Sequence, residues 1–350
     1  MLSRSYSCVL AVVMVLITSN LSNFKANEKT FSLNQTDAAF KFSNIYTCGY
    51  DYDELLLEWF PNYEKSHLQF NLKERQDDLL VYGRFGGCLN MDNYDSFHEW
   101  LLQSWKGRLL AINGEGSIGS VPLPNSVQIG VSGDSNYSVH VLYTSIALIF
   151  HMPRKTWKSI FTHHEKQISS CEKFCIYAHG HCVAYRELAA DLISRLVAPV
   201  SRVGSCKGMN GSLLIDTKSN LTHWRYNYLL FKEYRFCLVM ENEYAYGYVT
   251  EKILMAFIGG CIPIYYGTRE IFDVFNPKAF IYFDIKDPIP AINQIKELEE
   301  NKTLFDLMIK NEKILHNGRK TVRDYFSLVD SIEQGYLKKK ILSLLISKNI

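Results

Sequence analysis

The sequence predicts an α/β protein made of two Rossmann-like halves that face each other across a cleft. In the first half, short apolar runs alternate with longer amphipathic stretches, which is the pattern of strands and helices in a parallel sheet. The same alternation resumes in the second half, after a joint at 151–159 that contains Pro153 and several basic residues. The length of 350 residues also corresponds to about two domains.

Residues 1–30 are predicted to form a signal peptide or signal anchor together with the beginning of a stem. Arg4 precedes an uncharged apolar stretch, Cys8–Ile17. This stretch is shorter than the ~20 residues that span a bilayer comfortably, and its length suits a signal-peptide core. No small-x-small cleavage site follows, so both alternatives stay open. Either one directs the chain into the secretory route.

Sequons and cysteines agree with that route. N-x-S/T sequons begin at Asn20, Asn34, Asn136, Asn210, Asn220 and Asn301. The chain has nine cysteines, and all but Cys8 lie outside the leader, which is compatible with disulfides in an oxidising compartment. The net charge of only +2, with no basic cluster, argues against a nucleic-acid partner.

The N-terminal domain is predicted to cover 31–155. A polar stem-like stretch is followed by the amphipathic pieces DELLLEWF (53–60) and DSFHEWLLQSW (95–105). The apolar runs DLLVYG (78–83), GRLLAIN (107–113) and NSVQIGVSG (125–133) complete the alternation. A parallel sheet is the expected product.

The C-terminal domain is predicted to cover 156–350. Strands are expected at 173–180, 234–242, 261–267 and 278–284, with helices at 184–197 and 250–260. The last 60 residues are rich in Leu, Ile and Lys and are expected to be helical. Their end, YLKKKILSLLISK, fits either a membrane-surface helix or a helix packed against its own domain.

A segment rich in polar residues, 241–252, connects the predicted strand that ends at Met240 to a predicted helix whose N-cap is Thr250. Ligands of doubly wound sheets bind at this edge. Lys252 in the first turn opposes the helix dipole, at a cost of a few tenths to about 1 kcal/mol. An anion bound there would reverse that balance.

The neighbouring side chains complete this hypothesis. Asn242 and Tyr248 can donate or accept neutral hydrogen bonds, and Glu251 can accept from a vicinal diol such as a ribose. Together with Lys252 they suit a nucleotide diphosphate. The alternative is an ordinary surface helix start with a Glu-Lys pair.

The stretch FCLVMENEYAYGYVTEKILMAFIGGCIPIYYGTREIFDVFNPKAFIYF (236–283) resembles the donor-binding signature of the α1,3/4-fucosyltransferases, glycosyltransferase family 10. The family pattern is F-x-L-x-x-E-N-S/T, then Y-[IV]-T-E-K-[IL], then G-x-[IV]-P-[IV]-x-x-G. The match is dense over roughly 50 residues. Gly247 stands where many members have Asp, and Glu243 stands where Ser or Thr is usual.

The resemblance implies a GT-B fold and transfer of L-fucose from GDP-fucose with inversion. It maps the donor-binding residues onto Asn242, Tyr248, Glu251 and Lys252. FCIYAHGHCVAYREL (174–188) resembles the strand, loop and helix that supply a second diphosphate cation, here Arg186, although His179-Gly180 replaces the usual Ser-Asn. VGSCKG (203–208) resembles a short turn of the family, which adds Lys207.

Glu115 is the predicted general base. Inverting transfer needs a group that takes the proton of the acceptor hydroxyl, and it must come from the acceptor domain. The strand GRLLAIN leads into a Gly-rich loop with one carboxylate, Glu115. The family has Gly-Glu after an equivalent strand, which assigns this role; without the family, a plain turn would explain the pattern.

Two weaker patterns suggest metals. DYD (51–53) spells the Asp-x-Asp of metal-dependent transferases, but acids before a helix explain it more simply. CEKFCIYAHGHC (171–182) has cysteines and histidines, yet buried thiols or a disulfide explain them better than zinc does. No metal ligand is therefore predicted. The resemblance implies no obligatory cofactor, with a divalent cation such as Mn²⁺ as a stimulant rather than a requirement.

The resulting expectation is a Golgi α1,3-fucosyltransferase, a single-pass type II membrane protein with a lumenal catalytic domain, or a secreted form if the leader is cleaved. Its partners would be GDP-fucose, a GlcNAc-containing glycan acceptor on glycoprotein or glycolipid, and the membrane. Two alternatives remain: a GT-B transferase that uses another nucleotide sugar, and an inactive relative that binds glycan or GDP-sugar without transfer.

Overall fold

Two parallel β-sheets organise the protein in a computed structural model. The structure describes residues 42–48, 52–67, 76–83, 94–113, 123, 126–130, 138–141, 160, 172–204, 226–314 and 318–347. The predicted leader and the joint at 151–159 lie outside these residues. Within the described ranges, no helix has the length and apolarity that a bilayer crossing requires.

The N-terminal sheet has the strand order β2-β1-β3-β4-β5-β6, and all its pairings are parallel. Its strands are β1 (Ile45–Cys48), β2 (Lys65–His67), β3 (Leu79–Gly83), β4 (Arg108–Asn113), β5 (Ser126–Gly130) and β6 (Val139–His140). Every residue of β3 and β5 is buried, as expected for strands covered on both faces. Helices α1 (Asp53–Trp59) and α2 (Tyr94–Ser104) supply part of that cover.

The C-terminal sheet has the order β11-β10-β9-β7-β8, again entirely parallel. Its strands are β7 (Lys173–His179), β8 (Val200–Gly204), β9 (Tyr234–Met240), β10 (Ile262–Tyr266) and β11 (Ile281–Tyr282). The chain builds outward from β7 to β8 and then returns to the other side of β7 with β9. The strand order therefore reverses between β7 and β9, and such a reversal opens a ligand crevice at the carboxyl ends of the strands.

The helices of this half lie mostly between or after those strands. They are α3 (Ala184–Leu196), α4 (Asn227–Phe231), α5 (Glu251–Gly259), α6 (Ile271–Val274), α7 (Ile289–Glu300), α8 (Lys302–Lys310), α9 (Gly318–Phe326) and α10 (Tyr336–Ser347), with a 3₁₀ turn at Glu333–Gly335. Helix α5 is buried from Ile253 to Gly259. It ends at Gly260, whose φ of 85° is the left-handed C-cap geometry that glycine adopts without strain.

The final helix packs on the N-terminal sheet, although it follows the C-terminal one in sequence. Helix α10 contacts β4 and β5, and its apolar residues Leu337, Ile341 and Leu345 are buried. The Lys338 ammonium donates to the carbonyl of Glu58 in α1, 2.9 Å away. The apolar stripe that could have lain on a membrane surface is therefore inside the protein.

The predicted strand at 278–284 is the main difference in secondary structure: only Ile281–Tyr282 forms a strand. Asn276 folds the preceding residues into a turn, because its backbone carbonyl accepts from Ala279 N (2.9 Å) and its side chain accepts from Lys278 N (3.0 Å). A run of aromatic residues looks like a strand in sequence, whereas a local turn bonded by an Asn does not show in the apolar pattern.

The cysteines divide into bonded and free. Cys237 and Cys261 form a disulfide that joins β9 to the residue before β10. Cys48 and Cys182 are also disulfide-bonded, whereas Cys175 is a buried free thiol whose pKa is raised by burial. Since Cys182 is bonded and Cys175 faces the core, the zinc hypothesis for 171–182 has no support among the described residues.

Candidate functional site

The candidate site lies at the carboxyl edge of the C-terminal sheet, where β7, β9 and β10 end next to one another. Of the predicted site residues, Arg186, Asn242, Tyr248, Glu251 and Lys252 fall on this edge. Lys207 and the predicted base Glu115 lie outside the described residues. The assignment of those two stays a prediction.

Arg186 is held in the first turn of α3 and only 1% of it is exposed. Its Nε donates to the Glu241 carbonyl (3.2 Å), one terminal nitrogen donates to the His181 carbonyl (3.4 Å), and the other donates to the Asn242 side-chain oxygen. All three acceptors are neutral. Among the described residues the guanidinium therefore has hydrogen-bond partners but no carboxylate, which suits a cation that awaits an anionic ligand.

Glu241 is a site residue that the sequence analysis did not single out. Its carboxylate is fully buried. One oxygen accepts from Thr250 N (2.8 Å) and the Tyr265 hydroxyl (3.3 Å); the other accepts from the Thr250 hydroxyl (2.7 Å) and the Lys252 ammonium (3.2 Å). Glu241 thus fixes the start of α5 to the end of β10. The sequence carried two signals for it: its position directly after a buried strand, and its match to the Glu of the family pattern F-x-L-x-x-E-N.

Lys252 meets two carboxylates of its own chain, Glu241 at 3.2 Å and Glu251 at 3.6 Å. Burial alone lowers the pKa of Lys252, but the attraction of these carboxylates outweighs burial and leaves its pKa above the ordinary value. The lysine is therefore charged. The Glu241 carboxylate therefore already provides part of the negative charge that the sequence analysis expected from a bound ligand.

The loop before α5 brings the remaining predicted residues into place. Ala245 and Gly247 accept backbone hydrogen bonds from Tyr248 N (3.1 Å) and Val249 N (2.9 Å), and Gly247 has the left-handed φ of 72°. Tyr248 is buried, whereas Asn242 is exposed. The loop is a tight turn that presents Asn242 to Arg186.

His179 ends β7 beside the two cations. Its pKa is lowered well below the ordinary value by burial, and next by the charges of Arg186 and Lys252. Its Nε2 lies 3.4 Å from the Leu238 carbonyl; because a carbonyl only accepts, Nε2 carries the proton. The imidazole is therefore neutral, and it adds no charge to the site.

A row of tyrosine rings borders the site. The Tyr185 and Tyr266 centroids are 5.2 Å apart, those of Tyr244 and Tyr266 are 6.0 Å apart, and those of Tyr266 and Tyr282 are 6.4 Å apart. Tyr244 is 56% exposed, and the Tyr185 hydroxyl donates to the Glu241 carbonyl at 2.6 Å. Such rings offer flat faces to the apolar side of a sugar or a base.

Taken together, the site combines two charged nitrogen groups, a helix N-terminus and a carboxylate-bearing first turn at a strand-order reversal. Thr250 caps α5 with its backbone only, because its hydroxyl is engaged by Glu241. This arrangement can bind a phosphate-containing ligand. No cluster of three or more Asp, Glu, His or Cys side chains that could hold a metal ion occurs among the described residues.

Comparison with known proteins finds similarity to fucosyltransferases. Residues 169–310 match the model of the C-terminal domain of glycosyltransferase family 10 (fucosyltransferase). The chain is 30% identical over 239 residues to a protein of Acanthamoeba polyphaga mimivirus that is named a fucosyltransferase, a match covering 65% of this chain and 37% of the relative. It is 42% identical over 81 residues to an α-(1,3)-fucosyltransferase of Helicobacter pylori, covering 23% of this chain and 17% of that protein.

The fold is shared over a longer stretch. A crystal structure of an α1,3-fucosyltransferase with GDP-fucose matches 88% of this chain and 91% of its own with a TM-score of 0.57 and 17% identity. This confirms the predicted GT-B fold. The matches to curated relatives span little more than a third of their length at most. Residues 169–310 of the chain are therefore similar to the C-terminal domain of glycosyltransferase family 10, the fucosyltransferases.

Proposed function

We propose that this protein transfers L-fucose from GDP-fucose to a hydroxyl of a GlcNAc-containing glycan, as an inverting α1,3-fucosyltransferase. The observation that carries the proposal is the convergence of Arg186, Asn242 and the start of α5 at the reversal between β7 and β9. The names of the relatives, and GDP-fucose in the structural neighbour, support the choice of donor.

The described residues have defined roles in this proposal. Arg186 and Lys252 stabilise the diphosphate as negative charge develops on the leaving GDP, which is the largest electrostatic requirement of such a transfer. Glu251 accepts from the ribose hydroxyls, while Asn242 and Tyr248 orient the sugar nucleotide. Glu241 positions Lys252 and does not itself contact the donor.

Glu115, which follows β4 in the sequence, takes the proton of the acceptor hydroxyl as that oxygen attacks the anomeric carbon and GDP departs. Attack on the face opposite the leaving group inverts the anomeric configuration. Lys207 serves as an additional donor contact. The acceptor itself contacts the N-terminal domain.

The first experiment measures transfer. Purified protein is incubated with GDP-fucose and a panel of N-acetyllactosamine, LacdiNAc and N-glycan core acceptors, and the linkage of the product is determined. We expect an α1,3-linked fucosyl product. Binding of GDP-fucose without transfer to any acceptor would favour the inactive relative, and competition by UDP or CMP sugars in place of GDP would favour another nucleotide-sugar transferase.

A second experiment separates binding from chemistry. Lys252→Ala should weaken GDP binding measured by calorimetry, whereas Glu115→Ala should leave GDP binding intact and lower turnover by roughly 10²–10⁴-fold, the usual contribution of a general base. Near-normal turnover in Glu115→Ala would remove that residue from the mechanism. Parallel assays with EDTA and with Mn²⁺ test whether a divalent cation stimulates the reaction.

The proposed location is the Golgi membrane, with the catalytic part in the lumen and the N-terminal apolar segment as a signal anchor. The disulfide bonds of Cys48, Cys182 and the Cys237–Cys261 pair support an oxidising compartment. Imaging of the tagged full chain beside a Golgi marker, with protease protection to assign topology, tests this location. Release of a shortened chain into the medium would instead favour the secreted form.

A further inference from the structure

An Asn-Lys-Thr sequence lies on the surface at the junction between α7 and α8. Asn301, Lys302 and Thr303 are all exposed, and they match the N-x-T acceptor pattern with a residue other than proline in the middle. The other sequons of the chain lie outside the described residues. Asn301 is therefore the sequon asparagine that lies within the described part of the chain.

Asn301 presents its side chain in a way that leaves the reactive nitrogen available. The residue is the N-cap of α8, with extended backbone angles (φ −121°, ψ 92°). Its Oδ1 accepts from Leu304 N at 3.1 Å, and within the described part of the chain its Nδ2 makes no hydrogen bond. Because capping uses only the oxygen, a substituent on Nδ2 leaves the cap in place.

The surroundings also place this residue away from the candidate site. Helix α7 follows β11 and runs back toward the edge at which the strands begin. The Arg235–Glu299 pair shows this directly, since Arg235 lies at the start of β9 and Glu299 lies near the end of α7, with Nε to Oε1 at 2.7 Å. The donor site lies at the opposite edge, where β7 and β9 end.

The disulfides indicate that the chain folds in an oxidising compartment, and asparagine-linked glycosylation occurs on secreted proteins at surface sequons. We propose that Asn301 carries an N-linked glycan. The acceptor is Nδ2, which bonds to the anomeric carbon of an oligosaccharide donated by a lipid diphosphate. Nδ2 loses one proton, and the lipid diphosphate leaves with the bonding electron pair.

The test uses the full chain expressed in a eukaryotic secretory host. Peptide N-glycosidase treatment in heavy-oxygen water converts a glycosylated asparagine into heavy-oxygen aspartate, and mass spectrometry of the peptide containing 301–303 detects it. We expect the label at Asn301. An unmodified Asn301 peptide overturns the proposal, whatever occurs at the other sequons.

Variants that keep the helix cap make the test specific. Lys302→Pro blocks the sequon, yet proline suits the first helical position and the extended Asn301 before it. Thr303→Ala removes the hydroxyl that the sequon needs. We expect both variants to lose one glycan in apparent mass, whereas the matched controls Lys302→Ala and Thr303→Ser keep it.

Two further readouts guard against indirect effects. The melting temperature of Lys302→Pro compared with Lys302→Ala reports whether folding is altered, and GDP binding should be equal before and after deglycosylation because the site lies at the other edge of the sheet. A glycan that persists in both blocking variants would overturn the assignment to Asn301. Neither result depends on whether the protein transfers fucose.

Discussion

At the scale of residues, the site depends on partners that are distant in sequence. Asn242, Tyr248, Glu251 and Lys252 could be selected from the sequence because they cluster between a strand and a helix and match a family pattern. Glu241 could not be assigned its role, because its donors come from Thr250, Lys252 and Tyr265, and only the fold turns them toward one carboxylate. Spacing identifies residues at an edge; it does not show which charge faces which.

Arg186 gives the sharpest residue-level prediction. A lysine keeps the charge, but its donors share one nitrogen and cannot reproduce the three separate contacts of the guanidinium with Glu241, His181 and Asn242. Hydrogen bonds to charged groups contribute about 1.5–3 kcal/mol. We therefore expect Arg186→Lys to raise the Kd for GDP by roughly 10–100-fold, measured by calorimetry.

Arg202→Lys is the matched control for that experiment. Arg202 is also buried and lies on β8, next to β7, but it pairs with Glu187 (2.8 Å) and Asp191. Its replacement should lower stability and leave GDP affinity unchanged. Equal losses of affinity in both variants would show that Arg186 acts only through the general fold.

Three buried or half-buried tyrosines at the candidate site predict how stability depends on alkaline pH. Burial raises the pKa of Tyr185 and Tyr282 to about 12 and raises that of Tyr265 well above its ordinary value. The unfolded chain loses these protons near pH 10, whereas the folded protein keeps them. The stabilisation that these tyrosines contribute is therefore fully present below about pH 10 and is lost as the pH rises through their folded-state pKa values.

Urea unfolding followed at several pH values from about 9 to 12 measures this dependence. Lys252, whose pKa is also raised, contributes in the same direction. We expect Tyr282→Phe to flatten the slope, since it removes one of these groups. A free energy of unfolding that is constant over the range would contradict the predicted shifts.

At the scale of elements, the local pattern of apolar residues is sufficient to predict a helix or strand that is buried on both sides. The helix predicted at 250–260 and the strand predicted at 261–267 differ from α5 and β10 only at their ends. The strand predicted at 278–284 was too long, because the turn bonded by Asn276 occupies its beginning. The pairing of cysteines could not be predicted either, since it depends on which strands become neighbours.

The Cys237–Cys261 disulfide joins β9 to the residue before β10 across a sequence separation of 24. Closing a loop of this length destabilises the unfolded chain by about 3.5 kcal/mol in the chain-entropy description. The double variant Cys237→Ala/Cys261→Ala should lower the free energy of unfolding by about that amount, as measured by urea denaturation without reductant.

Cys175→Ala is the control, because it removes a buried sulfur from the adjacent strand β7 without breaking a bond. The loss in the double variant should exceed twice the loss in this control. If it does not, the disulfide contributes no more than the packing of its two sulfur atoms.

At the scale of the whole molecule, the C-terminal residues connect the two sheets. The Trp59 indole donates to the Leu328 carbonyl at 2.7 Å, and the Arg108 guanidinium donates to the Leu345 carbonyl. The sequence showed an amphipathic helix in this region but not what it covers, because a stripe of Leu and Ile fits any apolar surface. The position of this helix follows from the tertiary structure alone.

Ile341, the most buried apolar residue of that helix, tests the connection. Removing its side chain leaves a cavity between α10 and the N-terminal sheet, at a cost of about 2–5 kcal/mol. Since α10 contacts β4 and β5, we expect Ile341→Ala to speed amide hydrogen exchange in those strands, far away in sequence. Leu307→Ala, on the exposed face of α8, should change neither stability nor exchange. Unchanged protection of β4 and β5 in Ile341→Ala, together with accelerated exchange in α9 and α10, would mean that the final helix covers the N-terminal sheet without stabilising it.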